Sequence, residues 1–155
     1  MTPTFETASE ADLEVIRALL SAGGLPVDDI DEHVVEFILA KQDGATIGTV
    51  AAEYAGEVAL LRSLCVAPGH RGQAVGAGLL AAIQAKVVSR GVRELYLLTT
   101  TAAAYFESLG FSKTSRASAP SGIRATAQFR TLCPSTALCL RKVLSSSSNA
   151  ATGVR

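Results

Sequence analysis

The chain has no tryptophan, one methionine and three cysteines in 155 residues. Three thiols without framework spacing argue against a disulfide scaffold and read as reduced cysteines, which sets the expected location as cytoplasmic. An excess of charge is also missing, since 14 basic residues balance 14 acidic ones. Without a basic stripe carrying interleaved aromatics, nucleic acid is not an expected partner. No apolar run approaches the roughly 18 residues that cross a bilayer. The start, Met1-Thr2-Pro3-Thr4-Phe5-Glu6, lacks a signal-peptide core, so no membrane partner is expected either. Two histidines, His33 and His70, have no metal-ligand or nucleophile spacing, and no metal is expected. His70 is expected to be exposed.

What is present is apolar sequence, 48% of the chain, enough for one domain over residues 1–144. The polar, small-residue tail 145–155 is expected to be disordered. Thr4–Thr7 reads as a strand. Ser9 precedes a helix to about Leu20, with Glu10, Asp12 and Glu14 in its first turns. A second helical piece is expected around Asp28–Val35. Glu36–Lys41 and Ala45–Tyr54 flank Asp43-Gly44, a hairpin signal. A strand over Val58–Val66 follows. Leu79–Val88 is a helix, Glu94–Thr99 a buried strand and Ala102–Leu109 a helix closed by Gly110. Phe111–Ser115 reads as a strand, Ile123–Leu132 has helical spacing, and Ala137–Lys142 is a last strand. The class is α+β, a mixed α/β arrangement.

The segment Arg71-Gly72-Gln73-Ala74-Val75-Gly76-Ala77-Gly78 joins a strand to a helix. A glycine-rich turn at a helix start offers backbone N–H groups and the positive end of the dipole, an anion site suited to phosphate. No lysine follows Gly76 or Gly78, which excludes a P-loop. The spacing of Gly72, Gly76 and Gly78 also excludes a dinucleotide fingerprint. What remains is Gln73-Ala74-Val75-Gly76-Ala77-Gly78, a Gln-x-x-Gly-x-Gly pattern.

That pattern resembles the acetyl-CoA loop of the GCN5-related N-acetyltransferases (GNAT). Tyr105-Phe106-Glu107-Ser108-Leu109-Gly110-Phe111 is similar to the family's aromatic-aromatic-x-x-x-Gly-Phe segment. The order of elements is also that of the family, and the resemblance covers roughly residues 4–144. It implies a central, mostly antiparallel mixed sheet of about seven strands, flanked by helices and splayed where acetyl-CoA enters. Leu97-Leu98-Thr99-Thr100 and the segment from Ile123 to Pro134 resemble ArsN-type acetyltransferases associated with arsenic resistance. The Leu-Thr-Thr and Gly-Phe elements also resemble N-acetylglutamate synthases. Both groups imply acetylation of the amine of a small amino-acid-like substrate, an arsenical or phosphinothricin-like glutamate analogue in the first case.

By the same resemblance, acetyl-CoA contacts Leu64 and Val66 through their main chain. Its phosphates fall on Arg71, Gly72, Gln73, Ala74, Val75, Gly76 and Ala77. Ala74 stands where glycine is common, at little cost if φ stays negative. Phe106 is expected among the cofactor contacts, at the position where many relatives carry a proton-donating tyrosine. Its neighbour Tyr105 points about 100° away along a helix, so it reads as either an acid or a packing aromatic. Glu53 is the nearest candidate base, or else a solvated strand-end acid. Arg62 is a charge within an apolar strand. It reads either as a clamp for a substrate carboxylate or phosphinate, or as an outward side chain. Thr99 and Thr100 end the other strand, where ligands of such sheets collect. Arg116 and Arg124 read either as lining the substrate mouth or as surface arginines. Cys65, Cys133 and Cys139 lack a soft-metal spacing and read as buried thiols. A homodimer through the last strands is implied by the family alone. A CoA- or arsenic-binding module without turnover is the alternative of another class.

Overall fold

The computed structural model describes residues 2–31, 34–71, 74–132 and 136–144. Seven strands form one sheet in the order β1-β2-β3-β4-β5-β7-β6. They are β1 (Thr4–Thr7), β2 (Val35–Gln42), β3 (Ala45–Ala55), β4 (Val58–Val66), β5 (Glu94–Thr99), β6 (Ser112–Thr114) and β7 (Leu138–Val143). The helices are α1 (Leu13–Ala22), α2 (Val75–Ser89), α3 (Ala103–Ser108) and the single turn α4 (Ser121–Arg124). β1 with β2, β2 with β3, β5 with β7 and β6 with β7 are antiparallel. β4 and β5 are parallel, with a ladder of three pairs from Val58–Glu94 to Leu60–Tyr96. The chain groups into two compact units, residues 1–53 with 61–86, and residues 54–60 with 87–155.

In the first unit, Ile16 and Leu20 of α1 are fully buried against Ile30, Phe37, Leu39, Ala51 and Cys65. The start of α1 is set by a one-turn 3-10 segment, Glu10–Asp12, in which the Asp12 carboxylate accepts the Ser9 N–H at 2.9 Å. The β2–β3 hairpin turns at Asp43 (φ 54°) and Gly44 (φ 81°). Two successive positive φ values give the twist that matches antiparallel strands. The expected helical piece at Asp28–Val35 is not formed: residues 28–31 are turns and Val35 already belongs to β2. Asp29 is only 7% exposed there, and its carboxylate is committed to an ion pair rather than to a helix start. His33 lies outside the described residues.

In the second unit, Leu60, Tyr96, Ala119, Ile123, Phe129 and Cys139 form the core. The expected helix over Ile123–Leu132 breaks into α4 and a π-helical turn, Gln128–Leu132. The Thr126 hydroxyl donates to the Ile123 carbonyl at 2.7 Å. A side chain that competes for its own backbone in this way favours interruption over helix propagation. Arg116 ties this region together, donating to the carbonyls of Phe129 (3.0 Å) and Ala137 (3.2 Å) with its guanidinium over the Phe129 ring. Arg124 donates to the Ala119 carbonyl at 2.9 Å. Cys133 and the tail 145–155 lie outside the described residues.

α2 lies tightly on β3. A Cβ built at Gly48 would stand 3.0 Å from Leu79 Cδ1, 3.2 Å from the Cys65 carbonyl oxygen and 3.4 Å from Val75 Cγ1. Gly48→Ala should therefore cost about 1–3 kcal/mol by overpacking, read as a lower urea midpoint at unchanged m-value.

Candidate active site

β4 carries an irregularity that sequence reasoning did not find. Ser63, in mid-strand, has φ +58°. A non-glycine residue in the left-handed region inside a strand is strained and re-aims the residues that follow. Two bonds pin it: Thr49 of β3 donates its hydroxyl to the Ser63 carbonyl at 2.8 Å, and Arg62 donates Nε–H to Ser63 Oγ at 3.2 Å. After the kink, Leu64 and Val66 are half-buried and Cys65 is buried between them.

Arg62 is buried rather than outward, at 4% exposure. Its guanidinium meets Asp29 bidentately, Nη2 to Oδ1 at 2.6 Å and Nη1 to Oδ2 at 2.7 Å. Nη1 also donates to Glu53 Oε1 at 3.1 Å. Burial pulls the Arg62 pKa down, but the hydrogen bonds and charges of Asp29 and Glu53 outweigh it and hold the value above the ordinary one. Glu53 is itself buried, at 8% exposure, not a solvated strand-end acid. Two candidates read separately from sequence are thus joined in one ion pair. The third member, Asp29, was not foreseen. The one available signal was Arg62 itself, because a charge in a buried strand requires a partner.

The loop after β4 begins with a short 3-10 turn, Pro68–His70. His70 is half-buried rather than exposed, and its Nδ1 is buried without a partner among the described residues. Arg71 folds back to donate Nε–H to the Val66 carbonyl at 2.9 Å. Gly72 and Gln73 lie outside the described residues. Ala74 has φ +64°, which corrects the expectation of negative φ. Its methyl stands in the left-handed region, at a cost of about 1–2 kcal/mol relative to glycine. α2 then starts at Val75, whose side chain is buried. Gly78 N donates to the Ala74 carbonyl at 3.1 Å, so Val75, Gly76 and Ala77 form the open first turn. A 15-residue helix with Gly76 and Ala77 in its first turn and Arg71 four residues ahead of it fits an anion such as a pyrophosphate.

In the other unit, Thr99 Oγ1 accepts the Ala102 N–H at 3.0 Å just ahead of α3, and Thr100 is exposed. Tyr105 is 42% exposed on α3, while Phe106 is buried. Their rings meet edge to face at 5.3 Å, and Phe106 meets Phe111 likewise at 5.7 Å. Phe106 is buried between Tyr105 and Phe111, and the exposed ring belongs to Tyr105. Among the described residues no cluster of three metal-ligating side chains occurs, and no helix is long and apolar enough to cross a membrane.

This architecture is that of known acetyltransferases. N-acetylglutamate synthase of Neisseria gonorrhoeae, solved with coenzyme A and N-acetyl-glutamate, superimposes with a TM-score of 0.79 at 22% identity, over 93% of this chain and 35% of that one. A GNAT-family acetyltransferase of Staphylococcus aureus superimposes with a TM-score of 0.76 at 18% identity, over 92% of this chain and 99% of that one. An uncharacterized N-acetyltransferase of Chlorobaculum tepidum is 32% identical over 88 residues, a match that spans 56% of each chain. The chain therefore covers about half the length of that relative. Residues 33–113 match the family model of the acetyltransferase (GNAT) domain, and the chain belongs to that family of acyltransferases.

Two outcomes follow from this geometry. Ala74→Gly should raise stability by up to about 1 kcal/mol, left-handed strain relieved less the unfolded-chain entropy of glycine, measured by thermal denaturation. Burial pushes the thiols of Cys65 and Cys139 up, against the weaker pull of Arg71 and Arg116. Peptide mapping after iodoacetamide at pH 8 should find both unlabelled in native protein and labelled after unfolding.

Proposed function

We propose that this protein transfers the acetyl group of acetyl-CoA to the primary amine of a small amino acid or amino-acid analogue. The observation that carries the reading is the open first turn of α2 behind a left-handed Ala74, directly after the kinked strand β4. The N–H groups of Val75, Gly76 and Ala77 would take the pyrophosphate, with Gly72 and Gln73 contributing from the same loop. Arg71 would add charge, and the main chain of Leu64 and Val66 would pair with the pantetheine. Direct attack requires a deprotonated amine, a polarised thioester carbonyl and a proton for the departing thiolate. Glu53 is the proposed base, directly or through water. Tyr105, the exposed aromatic of its pair, is the proposed proton donor. Thr99 and Thr100 are proposed to border the acceptor.

An amino-acid acceptor is supported by the synthase of Neisseria gonorrhoeae, solved with N-acetyl-glutamate. The arsenical or phosphinothricin-like analogue, and with it a role in arsenic resistance, rests on Leu97–Thr100 and the segment 123–134 alone. Arg62 as a carboxylate clamp would have to give up its bidentate contact with Asp29.

A thiol-release assay with acetyl-CoA and a panel of glutamate, neutral amino acids and phosphinothricin tests the reading. Amine-dependent CoA release is expected, and none with any amine would overturn it. Arg71→Ala should raise the acetyl-CoA KM about tenfold, the worth of one charge-assisted hydrogen bond, and leave the amine KM within about twofold.

A further inference from the structure

The mechanism above uses Glu53 but leaves Asp29 and Arg62 without a role. We infer that Asp29 is a positioning residue for acetyl transfer, acting through Arg62 on Glu53. The inference rests on the proposed part of Glu53 as base.

Arg62 has five N–H donors in a rigid plane. Two go to Asp29, one to Glu53 Oε1 and one to Ser63 Oγ. The Asp29 contact is the bidentate one, so it fixes the plane and rotation of the guanidinium. Once that plane is fixed, Nη1 and Nε point in set directions. One holds the carboxylate at the end of β3, and the other holds the hydroxyl at the β4 kink.

The arrangement is also economical in charge terms. Arg62 alone with Glu53 would form a neutral pair with one bond. With Asp29 the three groups carry one net negative charge, and none of the three side chains exceeds 10% exposure. Asp29 takes the fork of the arginine, and the remaining Nη1 contact holds Glu53 Oε1. Asp29 sits in the turn at residues 28–31, far along the chain from Arg62 and on a different element from Glu53. A role confined to local turn geometry would not require that reach.

A double-mutant cycle in kcat tests this, with acetyl-CoA affinity as the check on folding. Asp29→Asn keeps the shape of the side chain and loses its charge. We expect kcat to fall at least tenfold while the Kd for CoA changes less than twofold. Glu53→Gln should also lower kcat at least tenfold. In the Glu53→Gln background, Asp29→Asn should add less than a twofold further loss, because positioning a missing base has no effect. A fully multiplicative cycle would overturn the inference, as would an Asp29→Asn variant with wild-type kcat. Should Asp29→Asn fail to bind CoA, Arg62→Lys replaces it in the same cycle, since lysine keeps the charge and lacks the planar fork. Wild-type activity in the thiol-release assay separates this test from that of the transfer reaction. An inactive wild type overturns the transfer reading, whereas an active wild type with a multiplicative cycle overturns only the role of Asp29.

Discussion

The ion pair between Arg62 and Asp29 organises the first unit. A guanidinium inside a buried strand is tolerable only when its donors are met. Here Asp29, Glu53 and Ser63 meet four of the five. Removing one partner of such a buried pair typically costs about 3–5 kcal/mol, because the other charge is left uncompensated. That penalty fixes three separate pieces of backbone at once. The turn at residues 28–31 must come to β4, the end of β3 must present Glu53 beside it, and the kink at Ser63 must hold its hydroxyl in reach.

The kink and the loop after it share one physical device. Ser63 and Ala74 are non-glycine residues held at positive φ, where an L side chain is disfavoured. Such strain persists only where the surroundings over-determine it. For Ser63 the surroundings are the Thr49 hydroxyl and the Arg62 Nε–H. For Ala74 they are the start of α2, which accepts Gly78 N–H on the Ala74 carbonyl, and the burial of Val75. Between the two lie the carbonyl of Val66 and Arg71 folded onto it. The strand end and the helix start are thereby set in register with non-glycine residues, Ser63 and Ala74, at the two left-handed positions.

Local signals were legible and non-local ones were not. Asp43-Gly44 specified the hairpin, because few residue pairs accept two successive positive φ values. The glycine-rich turn pointed to a helix start, but α2 begins at Val75, four residues ahead of the expected Leu79, and takes Gly76 and Gly78 into the helix; the separation of Tyr105 from Phe106 followed from helix geometry alone. Strands β2 to β5 and β7 were legible through their apolar runs. Asp29 was not, because nothing near it in sequence distinguishes it from Asp28 and Asp31, and its partner lies 33 residues away. Its pairing with Arg62 also explains why the acidic turn did not become a helix. The φ of Ala74 was misjudged for a related reason. The residue type favours negative φ, and only the packing of α2 behind it imposes the opposite sign.

The charge balance around Arg62 bears on which acceptor suits the fold. An arginine with one carboxylate partner is neutral and can exchange that partner for a substrate anion at little cost. With two carboxylates the guanidinium is already met, and an incoming carboxylate would have to displace one of them from a buried contact. The same cluster therefore disfavours exchange of either carboxylate for an external anion at Arg62. The arginine that stood out in the sequence as an anion ligand is better understood as the counter-ion that lets two buried carboxylates coexist.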